Sequence, residues 1–531
     1  MAKMSAETKA RFKQAVRHPG AWWRGANLPE EKIRPWEGGI QFFAEALKGF
    51  MKGYVGMKNH YYIGMGEGKI HPNWESVHKV IVVAWDAINN PVVGSYMDQK
   101  RFSETAHRWI MRFNATLSPM LILLQCFQFG MTPLQRIVFW TVIALFSNLM
   151  STTNLVSETK IWAGITPNNE QRSKVQLART IGNQLSDVFN AIPMMITGMK
   201  SLTGLSDYQV IIFGALLFAP FTIFSRWLPS FAKQRVDFSV TIKGEETSAE
   251  ATDGETQRSA TLREAFSVLK HNRWLMLTTA ANMIRMFFPI TDYMYQYRFL
   301  FPKLTLRGKP YDGLVIWGLK NVTFGLPCLL LQPFANKVVG KFKDKVQFLR
   351  FQELFTALAH IGMYFAGYKT WPRIFLLFTI EMFRGIIDNW APVPRELIKY
   401  EMLDYVEWKT GQRSEGVTMA LDRFLNGSQI NSNMIQTSVK DNINGIINNA
   451  VKQWSGFQGF LDYEADDQPQ RFLDSIWPLT HWGKIAGGFV GFLALLMFKY
   501  PHDPKEVEVD LVERRALAEK MKAEMEAQPT L

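Results

Sequence analysis

The sequence predicts an all-α membrane protein of twelve transmembrane helices in two six-helix halves, with both termini in the cytoplasm. Three observations carry the prediction. Apolar segments of bilayer length recur along most of the 531 residues, the loops between them alternate between rich and poor in Lys and Arg, and an acidic, Ser/Thr-rich stretch divides the series midway. Hydrophobic residues make up 47% of the chain and aromatics 13%, against 20% charged. The mean hydropathy of -0.07 is low for this class. The polar residues 1–35, the loop near 236–262, the charged tail after Tyr500 and polar residues inside the spans account for it.

A spanning helix needs roughly 20 mostly apolar residues. The clearest segments are 109–130, 134–156, 209–230, 313–334, 351–368, 372–392 and 483–500. Five more polar ones are 38–64, 73–97, 175–199, 273–300 and 414–449. Cytoplasmic loops are enriched in Lys and Arg. Lys100, Arg101, Arg108 and Arg112 follow the second span, Arg172, Lys174 and Arg179 the fourth, Lys337 to Arg350 the eighth, and Arg395, Lys399, Lys409 and Arg413 the tenth, whereas the intervening loops are poorer. Even-numbered exits therefore face the cytoplasm. Residues 241–262 read as a flexible linker, being acidic and short of apolar residues. The expected organisation is an interfacial or cytoplasmic extension over 1–37, a first half over 38–230, a linker over 231–272, a second half over 273–500 and a charged cytoplasmic tail over 501–531. Residues 451–480, with Glu464, Asp466 and Asp467, read as a long external surface loop, with a lid as the alternative.

Several function classes drop out. The two cysteines, Cys126 and Cys328, lie in apolar runs and suggest neither a disulfide framework nor a metal cluster. The first 35 residues have no apolar core run, so no cleavable signal peptide is visible. The net charge of +13 fits basic cytoplasmic loops rather than nucleic-acid binding. Residues 64–70, G-M-G-E-G-K-I, lack the glycine spacing and the hydroxyl residue of a phosphate-binding loop. No H-E-x-x-H, C-x-x-C or nucleophile motif is present, so neither enzymatic activity nor a cofactor is expected.

The polar residues inside the spans point to transport. A charge at the bilayer centre costs at least ~2.5 kcal/mol on insertion scales, so such residues face other protein or a wet cavity. Glu45, Lys48 and Lys52 share one face of the first span, and Asn183, Asp187 and Asn190 one face of the fifth. Arg285 and Asp292 lie on one side of the seventh, Glu381, Arg384 and Asp388 form a stripe in the tenth, and Asp422 and Arg423 stand in the eleventh with Asn426 close by. In the second span, Asp86, Asn89 and Asn90 precede Pro91, with Asp86 and Asn90 one helical turn apart. Buried ions are usually paired, so some of these groups hold helices together. The number of helices involved favours a cavity for a polar solute.

Two six-helix halves joined by a cytoplasmic loop is the major-facilitator layout, which binds substrate near mid-membrane between the halves. Three stretches then carry a closer resemblance. Asp86, Asn90, Pro91, Gly94 and Asp98 hold the places of a second-span motif; I-T-P-N-N-E-Q-R-S-K-V-Q-L-A-R, 165–179, looks like a loop between the fourth and fifth spans; and L-D-Y-V-E-W-K-T-G-Q-R-S-E-G, 403–416, is similar to one before the eleventh. Together, over about residues 38–500, they resemble the glycoside–pentoside–hexuronide:cation symporters, the melibiose-permease branch of the major facilitators.

The resemblance implies a cation site at Asp86 with Asn89 and Asn90, for Na⁺ ahead of H⁺, because the family uses paired carboxylates there and Asn90 replaces the second one. It implies that Asp98, Arg172, Glu407 and Arg413 close a cytoplasmic gate. The sugar-contacting Asp and Trp of the melibiose branch are absent, with Leu155 and Thr159 near their places. Lys48, Asp187, Arg285, Asp292, Asp388 and Arg423 are the candidates for solute contact. The expected function is secondary transport of a sugar, glycoside or sugar acid by alternating access. Alternatives are facilitative or anion transport without cation coupling, lysolipid transport, and a non-transporting sensor. The expected setting is the cell membrane, with the lipid bilayer and a small solute as partners and a monomer as the working unit.

Overall fold

The computed structural model of the chain describes residues 33–97, 104–127, 129–163, 165, 169–198, 204–233, 272–289, 293–301, 305–306, 309–310, 313–410, 439–460 and 463–514. Helices before the linker are α1 (Pro35–Leu47), α2 (Gly49–Tyr62), α3 (Pro72–Met97), α4 (Glu104–Leu124), α5 (Pro133–Ala163), α6 (Asn169–Gly198) and α7 (Asp207–Trp227). After it come α8 (Arg273–Arg285), α9 (Gly313–Leu331), α10 (Lys345–Ala366), α11 (Trp371–Trp390), α12 (Pro392–Thr410), α13 (Val439–Ser455) and α14 (Gln470–Met497). A small antiparallel hairpin, β1 (Thr305–Leu306) with β2 (Lys309–Pro310), precedes α9.

Local chemistry sets many of these ends. Ser206 caps α7 by accepting from the Gln209 amide, and Gln209 returns the bond in a capping box. Asp344 caps α10 through the Gln347 amide at 2.6 Å. Among the described residues, four helical segments are long and apolar enough to cross a membrane by composition: Pro133–Glu158, Asp207–Phe231, Gly313–Val339 and Gln470–Met497.

Helices α1 and α2 pack on α6, α3 and α4 on α5, and α7 on α2 and α4. Later in the chain, α10 packs on α14 and α11, α8 on α14, and α9 on α11. Two seams join these groups, α6 against α9 and α3 against α13. The approach of α1 and α2 to α6 depends on glycine. A Cβ added at Gly49 would sit 2.1 Å from the Ser186 carbonyl oxygen, and one at Gly182 would sit 2.3 Å from that of Phe42.

The structure differs from the sequence expectations in four places. The first span is broken at Lys48, between α1 and α2. The seventh, expected over 273–300, ends as an α-helix at Arg285 and resumes as a short α-helical turn, Tyr293–Tyr295, that passes into a π-helical turn, Gln296–Leu300. Pro289 interrupts the ladder, and Asn444 of α13 donates to the carbonyls of Met286 at 3.2 Å and Phe288 at 2.8 Å left by the break. Residues after the tenth span, read as a basic loop, form α12, whose Ile398, Met402 and Val406 are buried on one stripe. Finally, the expected loop over 451–480 is mostly helix: α13 runs to Ser455 and α14 starts at Gln470, burying Phe472, Ile476, Trp477, Thr480 and His481. The eleventh span, expected over 414–449, lies outside the described residues before Val439.

Residues 504–514 of the tail are helical. They dock on α12, where Trp408 donates through Nε1 to Asp510 at 2.5 Å and stacks on the His502 ring at 5.1 Å. Arg514 pairs with the same Asp510 at 3.0 Å, and Val507 and Leu511 are buried.

Candidate functional site

Asp86, Asn89 and Asn90 are all buried, on the face of α3 that meets α5. Asn148 of α5 donates through Nδ2 to Asp86 Oδ1 at 3.1 Å and Oδ2 at 3.4 Å. Thr152, one turn further along α5, donates to Asn90 Oδ1 at 2.5 Å, and Asn89 Nδ2 lies 3.5 Å from the Thr152 hydroxyl. Residues four apart on a helix share a face, so Asp86 and Asn90 meet a matching pair across the interface. Asn148 Oδ1 is buried and accepts no hydrogen bond among the described residues. The cluster is rich in oxygen: one carboxylate, amide carbonyls and a hydroxyl. A hard cation wants such oxygens.

Lys48, at the break between α1 and α2, pairs with Glu45 at 3.0 Å. Arg179 of α6 bridges Glu45 and Glu158, each at 2.9 Å, and so ties α1, α5 and α6 together. This group holds two cations and two carboxylates.

After the linker, a longer network runs through α8, α10, α11 and α12. Arg285 reaches Glu353 at 2.7 Å and donates through Nε to the Gly487 carbonyl at 2.7 Å. Arg395 approaches the other Glu353 oxygen at 2.7 Å and donates to Gln352 Oε1 at 2.8 Å. Gln352 and Thr356 donate to Asp388 Oδ1 at 2.8 and 2.6 Å, and Arg384 pairs with Asp388 Oδ2 at 2.6 Å. Lys320 of α9 pairs with Glu381 at 2.8 Å. Between the groups, Asn389 of α11 donates to Gln184 of α6 at 2.6 Å. Asn449 of α13 donates to Ser76 of α3 at 3.3 Å, beside the Lys79–Glu75 pair at 2.7 Å.

The structure therefore brings Asp86, Asn89 and Asn90 into one cluster, and Arg285 and Asp388 into one network through Glu353, Arg395 and Gln352. Lys48 stands in a separate group. Asp187 and Arg172 lie on α6 with side chains outside the described residues, and Asp98, Asp292, Arg413 and Arg423 lie outside them altogether. Glu407 is half-buried on α12. Sequence reading passed over Asn148, Thr152, Lys320, Gln352 and Glu353. They lie in spans that read as apolar on average, and the spacing of Asn148 to Thr152, matching Asp86 to Asn90, was the available signal.

Residues 67–427 match the family described as MFS/sugar transport protein, well over half of the chain. The chain belongs to this family. It is thus an integral membrane protein of the major facilitator fold, a secondary transporter of small solutes and not an enzyme. Similar solved structures include the nucleoside transporter NupG, at 14% identity and a TM-score of 0.40 over 87% of this chain and 98% of that one. Another is a D-xylose-proton symporter, at 14% identity and 0.48 over 88% and 98%. A third is the xylose transporter XylE from E. coli in a partially occluded inward-open conformation, at 12% identity and 0.46 over 86% and 95%. Comparison with curated protein sequences gives no match.

Proposed function

We propose that this transporter moves a sugar, glycoside or related small polar solute by alternating access, coupled to Na⁺ held at Asp86, Asn89 and Asn90. The reading places it in the melibiose-permease branch, in the cell membrane, as a monomer with both termini in the cytoplasm. Asp98, Arg172, Glu407 and Arg413 close its inner side, and Asp187, Asp292 and Arg423 join the solute path. The observation that carries the Na⁺ site is the buried oxygen cluster between α3 and α5, above all Asn148 Oδ1. A buried acceptor with no donor calls for an explanation, and a bound cation supplies one while offsetting the Asp86 charge.

Among the described residues, carboxylates meet most of the deep cations, which favours a neutral solute over an anion. Lys48 and Arg179 meet Glu45 and Glu158, Arg285 and Arg395 meet Glu353, Arg384 meets Asp388, and Lys320 meets Glu381. The test is thermal stabilisation of the purified protein by neutral sugars, glycosides and uronates, in NaCl and in choline chloride. A ligand at 100 times its Kd stabilises by about 2.7 kcal/mol. Stabilisation by a neutral sugar that requires Na⁺ and is lost in Asp86→Asn is the expected outcome. Equal stabilisation in both salts would leave a facilitative transporter and remove the Na⁺ site.

A further inference from the structure

The segment between α13 and α14 is not a surface loop. Phe457 and Phe460 are fully buried. Their rings meet Tyr295 edge-on at 5.2 and 5.4 Å, and Phe460 lies 4.9 Å from His60 of α2. Met57 of α2 and Ile211 of α7 share this cluster with Leu314, Phe472 and Ile476. The cluster therefore joins the helices before the linker to those after it.

The backbone joins them as well. Met65 N donates to the Phe457 carbonyl and Gly66 N to the Gln458 carbonyl, both at 2.9 Å. The loop after α2 comes so close that a Cβ on Gly64 would sit 2.2 Å from the Gln458 carbonyl oxygen. On its own side the segment is braced, since Gln468 donates to the Gly459 carbonyl at 2.8 Å and Arg298 donates to the Phe460 carbonyl at 3.3 Å. A transporter that alternates cannot keep both of its ends joined, because domain closure at one end implies separation at the other. A buried aromatic cluster with two backbone hydrogen bonds across the dividing line is a contact that must break.

We propose that residues 456–460 form a strap that gates this end of the transport path. It remains attached to α13 and α14 and releases Met57, His60, Ile211 and the 64–66 loop when the path opens. This inference rests on the alternating-access reading above. Phe457 and Phe460 are positioning residues in it and contact no solute.

The test is distance measurement between spin labels on Glu67→Cys and Asp466→Cys, both exposed and on opposite sides of the strap contact. The native Cys126 and Cys328 are buried. A second pair, Lys174→Cys with Lys341→Cys, reports on the other end of the α6–α9 seam. Phe460→Ala removes the buried ring, and Gly64→Ala pushes the Gln458 carbonyl away, which keeps the test open if the first variant does not fold. The expected result is that either variant moves at least about half of the 67–466 population to a longer distance, while the 174–341 pair shortens or stays closed. An unchanged 67–466 distribution in a folded variant overturns the strap. If the 174–341 pair still shows two distances in that case, alternating access stands without it. If neither pair ever shows a second distance, the transport cycle falls together with the strap.

Discussion

Restoring a carboxylate at position 90 should strengthen Na⁺ binding. Asn90 Oδ1 accepts from Thr152, and Asn90→Asp keeps that acceptor while adding a negative charge one turn from Asp86. Side chains four apart on a helix are about 6 Å apart at Cβ. Two unit charges at that distance repel by about 3 kcal/mol at an effective dielectric of 20. A cation bound between them relieves the repulsion, and each 1.4 kcal/mol is worth tenfold in affinity. Asn90→Asp should therefore melt at a lower temperature than the parent in choline chloride, and regain the loss in NaCl with a Na⁺ affinity up to about 100-fold higher. The assay is a Na⁺ titration of the melting temperature at constant ionic strength. A Na⁺ affinity equal to or below that of the parent would refute the idea that Asp86 and position 90 face one site.

Three other perturbations test the surrounding packing. Thr152→Val leaves Asn90 Oδ1 without its donor and should cost about 1–3 kcal/mol, seen as a lower melting temperature with no gain in Na⁺ affinity. Glu45→Gln leaves Lys48 and Arg179 short of a carboxylate and should destabilise by about 3–5 kcal/mol; the double variant with Lys48→Gln, in which Arg179 keeps Glu158, should recover part of this in the same melt, and no recovery would mean the Lys48–Glu45 pair is not formed. Gln184→Leu and Asn389→Leu, alone and together, should be non-additive by about 1 kcal/mol, and strict additivity would remove that bond between α6 and α11.

The sequence made some elements legible because period and punctuation agreed. The second span was expected at 73–97 and is found at Pro72–Met97, since His71-Pro72 marks its start and an apolar stripe runs through it. Helix α12 was hidden because its Arg395, Lys399 and Lys409 read as loop charges while its apolar residues are spread at helical spacing. The start of α14 was hidden likewise, for Gln470, Arg471 and Asp474 face outward while Phe472 and Ile476 are buried. Within the site, Asp86 and Asn90 could be read because a proline follows two amides and an acid in an apolar run. Their partners could not, because which helix lies against α3 is a tertiary fact. Arg285 shows the same limit. It reads as a cavity cation, yet its donors are taken up by Glu353 and the Gly487 carbonyl, 68 and 202 residues away along the chain.

The bridge from Arg179 to Glu45 also bears on how the protein is made. Its two ends are separated by 134 residues, so Glu45 emerges from the ribosome long before its partner. At ~5–20 residues per second, α1 waits about 7–27 s for α6. Lys48 is made with Glu45 and meets it at 3.0 Å, but a charge in the bilayer centre costs at least about 2.5 kcal/mol, so with Lys48 as its partner and Arg179 still to come, Glu45 leaves α1 and α2 less firmly held in lipid during that interval. Full seating of the first two helices then depends on translation of α6, and in a chain stalled before Arg179 a cysteine placed at Lys48 should react faster with a water-soluble maleimide than in the finished protein.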